Sequence, residues 1–250
     1  MNEQPLSSTL RTTIISARRA YSFPADGLRL SSLSTIEVHQ AIGRAFGFQA
    51  IQIGTPPPTF GVVAVTMPPG LIFNYGAAPI VDGIASPIRF LHFEPQRVVF
   101  DVAGPSAAID ASYERLKSVL DEITLADNTP IMDEPYRIHD YSELSGPAVY
   151  RSDALMMFDL RAIIEPVLRI AYPDPGLIAA PSIRLTLADL STPFASPSLV
   201  GSPDAFLYEL RSGTQVSEQV YFSGAPLPTD THMALRGRVE TFLQQRSSIT

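Results

Sequence analysis

The sequence predicts an α+β protein made of two tandem β-α-β4-α-like units, with antiparallel sheets and the helices packed on one face. Three observations carry this. A β-hairpin followed by an amphipathic helix occurs twice, over residues 88–123 and 205–243. Alternating segments of strand length are joined by short Pro- and Gly-containing turns, which favours antiparallel pairing. A polar, proline-bounded stretch at residues 126–135 separates the two halves. The expected organisation is a disordered tail (1–8), an N-terminal unit (9–125), a linker (126–135) and a C-terminal unit (136–250).

Residues 12–23 are rich in β-branched and aromatic side chains and read as a strand closed by the turn Pro24-Ala25-Asp26-Gly27. Ser34 and Glu37 have capping-box spacing. Val38, Ala41, Ile42, Ala45 and Phe46 then form one apolar helical stripe, and Gly47 is a fitting C-terminal cap. Residues 48–53 read as a strand ended by Pro56-Pro57-Pro58. Residues 60–66 and 71–75 are expected to pair around Pro68-Pro69-Gly70. A hairpin follows, with arms 88–93 and 97–103; Val98, Phe100 and Val102 alternate onto one face. Ser106 opens a helix with inward residues Ile109, Tyr113, Leu116, Leu120 and Ile123.

The second half repeats this order less clearly. Residues 136–144 read as a strand, and 153–164 as a helix in competition with a strand, because 155–158 is a continuous apolar run. Residues 167–172 and 183–190 read as strands, and 191–203 as a Ser/Pro-rich loop. Residues 206–210 and 216–222 form a hairpin around Ser212-Gly213-Thr214. Thr229 or Asp230 caps a last helix with Leu235, Val239, Phe242 and Leu243 inward. This order resembles the repeat of TATA-box-binding-protein-like folds. The resemblance is one of element order, carried by no sequence motif. It implies helices on one face of a curved antiparallel sheet and no particular activity.

Composition narrows the function classes. The chain has 250 residues, 45% hydrophobic, enough for one large core or two small ones. The longest apolar runs fall well short of a membrane span, and Met1-Asn2-Glu3-Gln4-Pro5 lacks the basic start of a secretory signal, so the expected location is cytoplasmic, with no membrane association. With no cysteine there are no disulfides, thiol nucleophiles or thiolate ligands. A net charge of −7, with 18 basic residues dispersed along the chain, argues against a nucleic-acid backbone as partner.

Sites of chemistry are scarce. Neither phosphate-loop glycine pattern is present, nor the G-x-S-x-G elbow; Ser106 suits a helix start. The histidines His39, His92, His139 and His232 lack metal-ligand spacing. His92 and Glu94 share a strand face, which reads foremost as a surface contact. His139 and Asp140 point to opposite faces, as do Arg18 and Arg19. The acids Asp133, Glu134, Asp140, Glu143, Asp153 and Asp159 sit mostly beside prolines or at helix starts. Gly237, between Arg236 and Arg238 in a helix, suggests close approach of another backbone. No catalytic residue, metal ligand or cofactor is expected. The candidate interaction residues are Tyr136, Tyr141 and Tyr150, as exposed aromatics near prolines, with Arg236 and Arg238. The leading expectation is a non-catalytic assembly or interaction subunit that binds a protein partner or itself through a sheet face or edge. The alternatives are a binder of small apolar ligands with a helix-gripped pocket, and an acid-base hydrolase using Asp and His.

Overall fold

A computed structural model of the chain describes residues 12–53, 70–123, 129–147, 183–186, 205–214 and 220–247. Nine antiparallel strands form one sheet: β1 (Thr13–Ser22), β2 (Ala50–Ile53), β3 (Leu71–Ala77), β4 (Pro87–Glu94), β5 (Arg97–Val102), β6 (Arg137–Pro147), β7 (Ile183–Thr186), β8 (Ala205–Leu210) and β9 (Val220–Ala225). The helices among the described residues are α1 (Leu30–Leu33), α2 (Ile36–Phe46), α3 (Ser106–Asp121) and α4 (Thr229–Ser247). The α+β class follows as the sequence predicts. The antiparallel sheets expected of the two units are joined into one, in the order β2-β3-β4-β5-β1-β6-β9-β8-β7.

The join is the pairing of β1 with β6, which runs from Thr13↔Ser145 to Ser22↔Arg137 and includes Ala17↔Ser142. Outward from this pair, β5, β4 and β3 follow on one side and β9, β8 and β7 on the other. The registers also correspond. Ala17 pairs outward with Val102, and Ser142 with Ala225. Four residues after each partner a helix begins, α3 at Ser106 and α4 at Thr229, 123 positions apart. Ile109, Tyr113, Leu116 and Leu120 turn inward on α3, and His232, Arg236, Val239 and Leu243 occupy the same steps of α4.

Strand periodicity sends alternate residues to opposite faces, and the helices cover one of them. On β1, Ala17, Arg19 and Tyr21 face the helices; the Tyr21 and Tyr113 rings stack at 3.9 Å. The first core joins α2 (Val38, Ile42, Phe46), α3 (Ile109, Leu116, Leu120) and strand residues such as Phe73, Leu91, Phe93 and Phe100. A smaller core under α4 holds Phe206, Tyr208, Tyr221, Ala225 and Leu243. The first turns of α3 and α4 meet. The Ser106 amide donates to Thr229 Oγ1 at 2.9 Å, and the Thr229 amide donates to Ser106 Oγ at 3.0 Å. Each helix therefore satisfies an orphan amide of the other, where an N-terminus ordinarily caps itself.

Several expectations change. The capping box at Ser34 is absent: α1 ends immediately upstream, and the Ser34 hydroxyl donates back to the Leu30 carbonyl at 2.8 Å instead. Gly47 does close α2, with φ 64°. The pairing of 71–75 with 60–66 is replaced, since β3 pairs with β2 on one edge and β4 on the other. Residues 60–66 lie outside the described residues, as do the expected elements at 153–164 and 167–172. Within the stretch read as a linker, Ile131 and Met132 are buried in the first core, anchored where the Arg29 amide donates to the Ile131 carbonyl. Phe242 is exposed instead of inward, one step off the buried stripe of Leu243. A Cβ at Gly237 meets nothing within 4 Å, so no other backbone among the described residues approaches it closely.

The mutual capping gives a first test. Ser106→Ala and Thr229→Val are each expected to cost about 1 kcal/mol in urea unfolding, and the double variant less than the sum, because separating the two helix starts breaks both bonds together.

Candidate functional site

The residues predicted to make contacts prove to be of two kinds. Tyr136, just ahead of β6, is 70% exposed, and Arg238 lies on the outer side of α4. Tyr150 lies outside the described residues. Tyr141 and Arg236 are buried, which corrects their reading as surface groups. The Tyr141 hydroxyl donates to Glu143 at 3.2 Å, and burial raises its pKa well above the ordinary tyrosine value. Arg236 is 1% exposed. It donates to Glu240 at 2.9 Å and to the carbonyls of Gly146 (3.1 Å) and Tyr221 (3.4 Å), and it lies over the Tyr208 ring. This arginine holds α4 to the ends of β6 and β9.

Several other described ionisable groups are likewise paired inside the fold. Arg19 donates to Asp140 at 2.5 Å and also binds Asp110 of α3, tying β1 to β6 and to the helix layer. Burial works against its charge, but bonds to Tyr21 and Asp140 outweigh burial and raise its pKa. Arg18, on the opposite face, directs Nε (3.0 Å) and a terminal nitrogen (2.6 Å) to one oxygen of Asp101. Burial raises the pKa of Asp101 and the nearby arginines lower it, the first effect being larger. Glu143 accepts from Ser16 at 2.7 Å.

His92 and Glu94 do share a face, but both are buried, which corrects their reading as a surface contact. They approach to 3.5 Å, and Arg97 donates to the other Glu94 oxygen at 2.9 Å. His139 and Asp140 face opposite ways as expected, with Asp140 held by Arg19; burial, aided by Arg137, lowers the His139 pKa. No group of three His, Asp or Glu side chains placed to hold a metal ion occurs among the described residues. No helix among them is long and apolar enough to cross a membrane.

One arrangement among the described residues that is open to contact with another molecule lies at the far end of the β3–β4 hairpin. The Ala78 amide bonds the Ser86 carbonyl at 2.9 Å, and Val81 and Ile84 bridge each other. Asp82 (φ 50°) and Gly83 (φ 76°) form the two-residue tip, with the positive φ at both positions that a type I′ turn requires. Ile80 and Ile84 beside that tip are 72% and 56% exposed. At the base stands Tyr75, 66% exposed and held at φ 59°. The left-handed region costs a bulky residue about 1–2 kcal/mol. Next to it, a Cβ at Gly76 would come within 2.5 Å of the Phe48 ring, so the chain passes closely under that ring.

Irregular backbone continues inward from Tyr75. Tyr75 lies between the pairs Asn74↔Phe90 and Gly76↔Ile88, facing Arg89. The β4–β5 register shifts between Ile88 and Phe90, and the β1–β6 register between Ile14 and Ser16. Such bulges re-aim side chains. Here they let Arg89 reach the Ile15 carbonyl at 3.4 Å and Asp101 at 3.6 Å. The hairpin base is thereby braced to the ionic cluster at the sheet centre, with its apolar side chains turned outward. Neither tyrosines near prolines nor arginine spacing pointed to this element; the Asp82-Gly83 dipeptide between Ile80-Val81 and Ile84 was its signal.

The burial contrast between two arginines only two residues apart, and so on opposite sides of α4, is testable. Arg236→Met is expected to cost about 3 kcal/mol in denaturant unfolding, because Glu240 and two carbonyls lose a buried partner, whereas Arg238→Met shifts stability by less than about 0.5 kcal/mol. No protein-family model matches the chain, and no curated protein matches it.

Proposed function

We propose that this protein is a non-catalytic, protein-binding assembly subunit whose docking element is the 75–84 hairpin. One observation carries the reading: three exposed apolar side chains, Tyr75, Ile80 and Ile84, project from a short, backbone-constrained hairpin whose base includes a left-handed tyrosine. Large apolar side chains gathered on a protrusion favour protein contact, and a rigid presentation lowers the ordering cost of binding. The protrusion is convex, so the complementary surface is an apolar groove on a partner protein or on a second copy of the chain. Strain kept at an exposed position is better explained by use than by folding, since glycine would adopt φ 59° without that cost.

The reading includes two finer elements. The two halves are copies of one unit, supported by the corresponding strand orders and registers on either side of β1·β6. The site of action is the cytoplasm, on the cysteine-free composition.

Light scattering at micromolar concentration, together with copurification at native abundance, tests the main claim. The wild-type chain is expected to oligomerise or to carry a stoichiometric partner, and Ile80→Asp with Ile84→Asp to abolish that complex without lowering the melting temperature. Tyr75→Gly is expected to weaken the complex at least about tenfold while raising stability by about 1 kcal/mol. A wild-type chain that is strictly monomeric and partner-free, or a complex indifferent to all three substitutions, would sink the proposal.

A further inference from the structure

The two long helices dock on the sheet by different chemistry. Where α3 places Ile109 and Tyr113, α4 places His232 and Arg236 at the corresponding steps, and all four are buried. The hydrogen-bond arrangement fixes the state of His232. Ser142 Oγ lies 2.9 Å from the Leu227 carbonyl, which can only accept, so the single hydroxyl hydrogen goes there. His232 Nδ1, 2.8 Å from the same oxygen, must then carry the imidazole hydrogen and donate it. Nε2 is left as a bare lone pair with no hydrogen-bond partner among the described residues. The Phe206 ring packs edge-on at 5.9 Å.

We infer that α4 is an acid-released clamp: protonation of His232 frees this helix from β6, β8 and β9 while α3 and the first half of the sheet stay assembled.

Among the described residues, the surroundings supply no counter-charge for an imidazolium. From α4 itself the charged neighbour is Arg236, a cation, whose own partner is Glu240. From β6, Asp140 is held by Arg19, and Glu143, turned to the opposite face, accepts from Ser16 and Tyr141. From α3, Asp110 is bound by the same Arg19. From β8 and β9 come Phe206, Tyr208 and Tyr221 of the second core. Burial first, and Arg236 second, lower the His232 pKa from 6.5 to about 4.

The sign of the pH effect follows. The docked state binds fewer protons than the released state between about pH 6.5 and about pH 4. Stability of the docked helix is therefore full above that window and lost as pH falls through it. In the first half, burial raises the pKa of Glu94 on β4 and Asp101 on β5, so those groups bind protons more readily in the folded state and favour it as pH falls. Acid thus loosens α4 through His232, while Glu94 and Asp101 act in the opposite sense in the first half. Release of α4 uncovers Phe206, Tyr208, Tyr221 and Ala225.

Hydrogen exchange read by mass spectrometry on the full chain tests this, from about pH 7.5 down to about pH 4.5 with intrinsic rates corrected for pH. Protection of α4 amides is expected to fall, approaching about a hundredfold at the acid end, while α3 amides keep theirs. His232→Ile, which copies the Ile109 position of α3, and His232→Gln are both expected to hold α4 protection across the range. Flat α4 protection in the wild-type chain overturns the inference, as does loss of α3 protection in step with α4. An equal acid loss in both His232 variants overturns it as well.

Discussion

Everything in this architecture hangs on the pairing of β1 with β6. Without it the described strands fall into a five-strand sheet, β2-β3-β4-β5-β1, and a four-strand sheet, β6-β9-β8-β7. With it, one sheet runs through the molecule, and β1 is paired along both edges. Charge placement guards the register of this seam. Arg19 reaches across it to Asp140 and upward to Asp110, while Arg18 on the reverse face holds Asp101 of β5. A slip of one residue would exchange the two faces and strand both arginines away from their carboxylates. The helix layer is keyed to the same point, because the reciprocal bonds between Ser106 and Thr229 fix where α3 and α4 start relative to each other.

A consequence is that charged chemistry is consumed by architecture. Arginines 18, 19, 97 and 236 each have carboxylate partners within the chain. What the β3–β4 hairpin turns outward is instead apolar and conformationally fixed. The binding reading rests on that contrast between a neutralised interior and a hairpin whose backbone bears a cost with no internal return.

Much of the fold was legible because the signals are local. The α2 stripe with Gly47 at its end, the β4–β5 hairpin with Val98, Phe100 and Val102 on one face, and the inward residues of α3 are all set by periodicity and turn chemistry. The opposed directions of Arg18 and Arg19 follow from strand alternation alone. What the sequence hid is non-local. Nothing in residues 13–22 or 137–147 says that they pair across more than a hundred positions, or that β2 would take the edge of β3 expected for 60–66. Burial of Arg236 and Tyr141 was hidden for the same reason, since the carbonyls of Gly146 and Tyr221 meet Arg236, and Gly224 meets Tyr141, only once β9 pairs with β6. The hairpin tip differs: Asp82-Gly83 is a local turn signal, but the exposure of Ile80 and Ile84 beside it is set by the rest of the fold.

The position of β1 has a consequence for biosynthesis. Among the described strands it is translated before the others, yet it belongs in the middle of the sheet, and its two neighbours are β5 and β6. The alternating surface of Thr13–Ser22 therefore stays without a ladder until residue 97 and beyond have been translated, and the second edge waits for residue 137. During that interval β2, β3 and β4 can assemble among themselves as a meander, leaving the central slot open for a segment made long before. A nascent chain of this design holds an open strand edge while more than a hundred further residues are added, an interval in which that edge is exposed to pairing with the wrong strand.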